Sequence, residues 1–168
     1  RRYSAGKEVM KYSPDALAVR KLDWDFFVTL THKTERSRWD SPSQKRQAHR
    51  FAAWVYRVCR SFRIKPRNFI WVRRCEVGRG GRDHFHVLIR LPARLRSNIR
   101  TTRYRLKNIW ETKLGYGIAD VRAVKVNEGV SGYIAKKASE YEEARFSNER
   151  YRSVVFSRAA LSLLKYCS

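Results

Sequence analysis

Two histidines, His84 and His86, stand two positions apart in an otherwise apolar segment. Because side chains alternate between the two faces of a β-strand, both imidazoles are expected to project from one face while the apolar residues around them enter the core. Two imidazoles at this spacing can bind one divalent ion. If the glycine-rich turn at 78–81 closes a hairpin, Glu76 lies directly opposite His84, with Cβ atoms about 4.5–5.5 Å apart.

These three side chains predict a metal site built from two histidines and one carboxylate. The set Glu76, His84 and His86 leaves coordination positions open, and its mixed nitrogen and oxygen donors favour Mn²⁺ or Mg²⁺ acting on a phosphate over a closed structural zinc site. The alternative is that both histidines are ordinary surface residues of a basic protein. A carboxylate in register with His84 favours the metal site.

A tyrosine followed by two lysines forms the second candidate chemical group. On a helix, Lys136 and Lys137 lie three and four positions beyond Tyr133, so both ammonium groups neighbour its phenol. Positive charge favours the phenolate, and a pKa lowered by two units would supply about 2.7 kcal/mol toward this nucleophilic form. Tyr141 is a second possible nucleophile, but its place in the apolar stripe of the helix favours a core position. The alternative for Tyr133 is a residue at the edge of a helix.

The elements that must position these groups follow from apolar periodicity and from Gly, Pro and capping residues. A strand, a helix, two strands, a helix, a strand and a helix predict an α+β fold in which an antiparallel sheet of about five strands carries helices on one face. The other face of the sheet is then open to a ligand. The predicted elements are strand 24–33, a helix from 40–42 to about Pro66, strands 68–77 and 84–91, a helix from Ser97 or Asn98 to Gly115, strand 118–126, helix 127–144, and a short strand and helix after Val154.

The charge predicts the partner. The 168 residues include 38 Lys and Arg against 15 Asp and Glu, a net charge of +23. This excess points to a polyanion, and nucleic acid fits better than a membrane because the apolar stretches are too short to span one. Five arginines on or beside the predicted metal strands are expected to bind DNA: Arg73, Arg74, Arg79, Arg82 and Arg90.

Domain organisation and compartment follow from the remaining composition. We expect a basic N-terminal arm over residues 1–22 and one domain over residues 23–168. Three widely spaced cysteines fit neither a disulfide framework nor a zinc knuckle, so a reducing cell interior is predicted. The sequence has no secretory signal pattern and no phosphate-binding loop of the GxxxxGK[ST] type, so neither secretion nor use of ATP is expected.

Three segments together resemble the HUH endonucleases of the replication-initiator (Rep) type. That family carries a strand with a Thr-Leu-Thr-like run, a His-hydrophobe-His strand and a Tyr-x-x-Lys helix, in this order. Here they are FVTLT at 27–31, HFH at 84–86 and YIAK at 133–136, so the resemblance covers about residues 24–140. The single tyrosine followed by lysine is similar to rolling-circle initiators.

The resemblance implies a ferredoxin-like or RRM-like HUH fold and a sequence-specific enzyme that nicks and joins single-stranded DNA. Glu76, His84 and His86 would hold Mn²⁺ or Mg²⁺, Tyr133 would form a 5′-phosphotyrosine link, and Lys136 or Lys137 would orient the phosphate. Thr29 and Thr31 of the first motif would contact DNA. The implied partner is the hairpin of a plasmid or phage-like replication origin in the cytoplasm of a bacterial or archaeal host, whose helicase and polymerase would complete replication.

Two other functions stay open from the sequence. A non-catalytic single-stranded nucleic-acid-binding module would bind regardless of EDTA and would tolerate Tyr133→Phe. A related HUH transposase or relaxase would differ in the order of its motifs and in the spacing of tyrosine and lysine.

Overall fold

A computed structural model describes residues 19, 22–34, 42–78, 82–125, 134 and 154–165. These residues form five strands and three α-helices. The strands are β1 (Phe26–His32), β2 (Ile70–Val77), β3 (Asp83–Arg90), β4 (Gly117–Ala123) and β5 (Val154–Phe156), and the helices are α1 (Gln44–Phe62), α2 (Ile99–Asn108) and α3 (Arg158–Lys165). A π-helical turn (Ile109–Lys113) continues α2, and short 3₁₀ turns (Pro66–Asn68 and Ala93–Leu95) precede β2 and α2.

All five strands belong to one antiparallel sheet in the order β4-β1-β3-β2-β5. The first four strands with α1 and α2 follow the βαββαβ order, and strand β3 lies between β1 and β2, as in a ferredoxin-like fold. The predicted α+β class and five-stranded sheet are therefore confirmed.

Capping residues set the helix starts close to the predicted positions. The side chain of Ser43 accepts a hydrogen bond from the backbone N–H of Arg46 and caps α1, and Asn98 caps α2 in the same way through Thr101. Helix α1 ends at Arg63, which adopts a left-handed conformation with φ 54°, before the predicted stop at Pro66.

The larger core lies between the sheet and helices α1 and α2. Alternate side chains of β1 and β3 enter it, including Phe85 and Val87, so the predicted division of faces along β3 is confirmed. Cys59 and Cys75 are buried free thiols in this core. Its largest fully buried side chains include Phe26, Leu30, Trp54, Phe69, Phe85, Leu106 and Trp110.

The opposite face of the sheet is not fully open, contrary to the expectation from the sequence. A second apolar cluster covers the part of this face near Val72 and Leu88, because the strands there carry large apolar side chains that must be shielded from water. Its members are Val19, Leu22, Trp24, Val72, Leu88 and Ile134, with Phe27, Ile70, Val124, Phe156 and Leu163 packed against them. Val19 and Leu22, which fall in the predicted N-terminal arm, are thus packed on the sheet.

Candidate metal centre

The β2–β3 hairpin brings the three predicted metal ligands together. Glu76 lies directly opposite His84 in the register, as the symmetry of the turn predicts. One ligand atom from each of Glu76, His84 and His86 lies within 4.8 Å of the others. The closest pair is Nε2 of His86 and Oε2 of Glu76, 3.2 Å apart.

Strand β1 holds the ring of His86. Thr29 is the register partner of His86, and its Oγ1 lies 3.1 Å from Nδ1 of the histidine. The ring of Phe27 stacks on the imidazole with a centroid distance of 5.3 Å and an angle of 7° between planes. When Nδ1–H donates to Thr29, Nε2 carries the lone pair and faces Glu76, which is the tautomer that a metal ligand needs.

The backbone of the hairpin turn orients His84. Its Nδ1 lies 3.3 Å from the carbonyl oxygen of Arg82, and since a carbonyl only accepts, Nδ1–H is the donor and Nε2 is left as the ligand atom. Gly78 leaves room for this ring, because a Cβ at position 78 would lie 3.0 Å from Cε1 of His84. The rings of His84 and His86 meet edge to face, with centroids 4.6 Å apart.

This donor set fits a divalent metal ion. Two imidazole nitrogens and one carboxylate oxygen converge, and in both rings the Nδ1 position has its own oxygen partner, as metal-binding histidines usually have. Between Nε2 of His86 and the oxygen of Glu76 a proton must bridge the pair, and a metal ion can replace that proton. The side chain of Glu76 is 27% exposed, so the site is accessible from solvent.

The residues predicted to bind DNA are divided between the two faces of the sheet. Thr29 and Thr31 lie on the face of the metal ligands, and Thr31 is the register partner of His84. Arg82 is exposed at the hairpin, whereas Arg90 ends β3, six positions from His84. Arg79 lies outside the described residues.

Two of the predicted DNA-binding arginines are buried. Arg73 is 7% exposed on the helix-covered face, where its guanidinium lies between the rings of Phe51 and Phe85, at 4.9 and 4.6 Å from their centroids. Burial lowers the pKa of Arg73. Arg74 lies on the metal face opposite His86 but is only 3% exposed. These positions argue against direct DNA contacts by either side chain.

Tyr133, Lys136, Lys137 and Tyr141 also lie outside the described residues. The neighbouring Ile134 is described: it is helical, fully buried, and part of the apolar cluster on the same sheet face as the metal ligands.

Sequence reasoning missed a polar network behind the hairpin. Nε2 of Gln47, on α1, donates to the buried carboxylate of Asp83 at 2.6 Å and to the carbonyl oxygen of Pro42 at 2.7 Å. The thiol of Cys75 lies 3.7 Å from Oε1 of the same glutamine. A glutamine within the apolar stripe of α1 was the available signal. The network ties the start of α1 to the strands that carry the metal ligands.

His32 was also missed as a special residue. It is 2% exposed between the rings of Phe85 and Trp110, and neither ring nitrogen has a hydrogen-bond partner in the part of the chain that the structure describes. Burial, reinforced by the charges of Arg50 and Arg73, lowers the pKa of His32 from 6.5 to about 3. The imidazole is therefore neutral at physiological pH.

Comparison with known proteins gives one family. The model of a family described as replication-associated proteins of the ORF2 type matches residues 25–142. No curated protein and no solved structure matches the chain significantly. Among the described residues, no helix has the length and apolar character needed to cross a membrane.

Proposed function

Because the chain belongs to the ORF2-type family of replication-associated proteins, we propose that it is an HUH-type endonuclease that nicks and rejoins single-stranded DNA at a replication origin. The observation that carries this proposal is the convergence of Glu76, His84 and His86 on one accessible patch of the sheet. A family that acts in replication has a use for such a patch, since a site of this kind can act on a DNA phosphate.

The three ligands would hold Mn²⁺ or Mg²⁺ next to the scissile phosphate. Such an ion, when bound, polarises a non-bridging phosphate oxygen and offsets the charge that builds there. The protein's own part is to hold the ligand atoms in place before DNA arrives: Thr29 and the carbonyl of Arg82 fix the two imidazole rings. Preorganisation of this kind avoids reordering the side chains during the reaction.

Tyr133 is the proposed nucleophile. Its phenolic oxygen attacks phosphorus and forms a new P–O bond, while the bond from phosphorus to the 3′-oxygen of the preceding nucleotide breaks and that oxygen takes up a proton. The products are a 5′-phosphotyrosine and a free 3′-hydroxyl. Attack by a 3′-hydroxyl reverses the step, rejoins the strand and needs no ATP, because the phosphotyrosine keeps the bond energy.

Two features support this assignment. Ile134, which follows Tyr133 in the sequence, is buried on the sheet face that carries the metal ligands. Lys136 and Lys137, at three and four positions beyond the tyrosine, would favour its phenolate and orient the phosphate. The free 3′-hydroxyl would prime the host polymerase, and a host helicase would unwind the duplex.

The test is formation of a covalent adduct. The protein is incubated with single-stranded DNA carrying the origin hairpin of its replicon, with Mn²⁺ or with EDTA, and the mixture is run on a denaturing gel. We expect a metal-dependent adduct, which Tyr133→Phe abolishes and His84→Ala reduces by at least about 100-fold, the order of effect of losing a metal-held reaction step.

Tyr141→Phe is the matched control, and it should form the adduct at the wild-type level. An adduct that persists in Tyr133→Phe and disappears in Tyr141→Phe would move the nucleophile to Tyr141. DNA binding that ignores EDTA, without any adduct in the wild type, would refute the nickase and favour a non-catalytic binding module.

A further inference from the structure

A cleft lies at the end of β2 and β3 that is remote from the metal ligands. It encloses about 570 Å³ between helix α3 and the start of β2, within the range of volumes that hold a small ligand or one nucleotide. Ile70, Leu91 and Leu163 give it an apolar lining, and Ser162 adds a hydroxyl.

The rim of this cleft is strongly basic. Arg67, Arg90, Arg96 and Arg158 all line it, and none of its lining residues is acidic. Arg96 is neutralised by Asp25, with 3.2 Å between Nε and Oδ1. In the described ranges, no carboxylate pairs with the other three guanidinium groups. Three positive charges around an apolar floor are complementary to a nucleotide, which offers phosphate oxygens and an apolar base face.

The cleft and the metal ligands share one face of the sheet. Arg90 is six positions from His84 along β3, and with about 3.3 Å per residue the two sites are about 20 Å apart. This distance equals about six stacked nucleotides at 3.4 Å each. One DNA molecule can therefore reach both sites.

One wall of the cleft is not part of the segment that matches the family. The matched residues end at 142, whereas Arg158, Ser162 and Leu163 belong to helix α3. Ser157 fixes this helix to the sheet: its Oγ accepts hydrogen bonds from the backbone N–H groups of Trp71 and Ala160, each at 3.1 Å. The cleft is thus a firmly built addition to the four-stranded fold.

We propose that this cleft is a second DNA-binding site, which holds a nucleotide about 20 Å from the nicked phosphate. The guanidinium groups of Arg67, Arg90 and Arg158 bind phosphates, and the base lies on the apolar floor. This inference rests on the proposed function only for the identity of the DNA as an origin. Because α3 supplies one wall, the site adds contacts outside the matched family segment and helps to select the DNA that this chain nicks.

The test measures binding separately from cleavage. The probe is a fluorescein-labelled single-stranded oligonucleotide of about 20 nucleotides, long enough to span both sites, and fluorescence anisotropy is measured in EDTA over a series of salt concentrations. The variant Arg67→Ala/Arg90→Ala/Arg158→Ala should weaken binding by tenfold or more. Since each lost phosphate contact lowers the salt slope by about 0.7 for single strands, the slope should fall by about 2.

The matched control removes the same charge elsewhere. Lys45, Arg57 and Arg60 are exposed on α1, and Lys45→Ala/Arg57→Ala/Arg60→Ala should change the salt slope by much less. Equal losses in the two triple variants, or no loss in the cleft variant, would overturn the second site. Failure of the wild type to form a covalent adduct would refute the proposed nicking activity but would leave this binding result intact, so the two failures are distinguishable.

Discussion

Thr29→Val removes one hydroxyl from the metal face and keeps the shape of the side chain. In the structure this hydroxyl lies 3.1 Å from Nδ1 of His86. Valine fits a strand as well as threonine does, so β1 should form as before. What changes is the hold on the imidazole: without its Nδ1 partner, His86 loses the tautomer and ring orientation that direct Nε2 toward Glu76.

The size of the effect follows from comparable partners of metal ligands. Loss of an outer hydrogen bond to a ligating histidine costs about 10- to 100-fold in metal affinity, which equals about 1.4–2.7 kcal/mol. Loss of one net hydrogen bond lowers the free energy of unfolding by only about 0.5–1.5 kcal/mol. Metal affinity should therefore fall by more than the stability of the fold explains.

The assay is calorimetric titration of the protein with Mn²⁺ alone, together with thermal unfolding in EDTA. Thr31→Val is the matched control, because Thr31 lies on the same strand and face, opposite His84, and the described hydrogen bonds include none from its hydroxyl. We expect Thr29→Val to weaken Mn²⁺ binding by about 10- to 100-fold and Thr31→Val to leave it within about twofold, as for a substitution away from the ligands.

Equal Mn²⁺ affinity in the wild type and Thr29→Val would refute the orienting role of this hydroxyl. A parallel loss of affinity in Thr31→Val would show that any change on this strand disturbs the site. Absence of Mn²⁺ and Mg²⁺ binding by the wild type would remove the metal centre itself.

Two further predictions concern residues that support the site. His32 has a pKa of 6.5 unfolded and about 3 folded, so below pH 6.5 the unfolded chain binds a proton that the folded chain does not, and wild-type stability relative to His32→Leu should fall by about 1.4 kcal/mol per pH unit down to about pH 3; urea unfolding at several pH values checks this, and parallel stability curves would contradict it. Gly117 has φ +149°, and a Cβ there would lie 2.0 Å from the carbonyl oxygen of Thr31, so Gly117→Ala should cost on the order of 3 kcal/mol or more of unfolding free energy. Gly115→Ala, with φ +63° and open space around it, is the control and should cost only about 1 kcal/mol; equal losses in the two variants would show that backbone strain alone, and not contact with β1, decides the effect.

The sequence alone determined the features that depend on short-range geometry. The alternation of side chains along a strand placed His84 and His86 on one face, and the symmetry of a hairpin placed Glu76 opposite His84, as the register confirms. The order of helices and strands likewise followed from local periodicity and caps, because these signals lie within one or two turns of the chain.

Only the tertiary structure decided the contacts between distant segments. Thr29 and His86 are 57 positions apart and meet because β1 and β3 are neighbours in the sheet, an order that no local pattern encodes. Arg73 looks like a DNA ligand by its charge, yet its strand position points it between two aromatic rings of the core. The arginine cleft exists because α3 packs beside the start of β2. In each case long-range packing, and not the residue type, selected the side chain's surroundings.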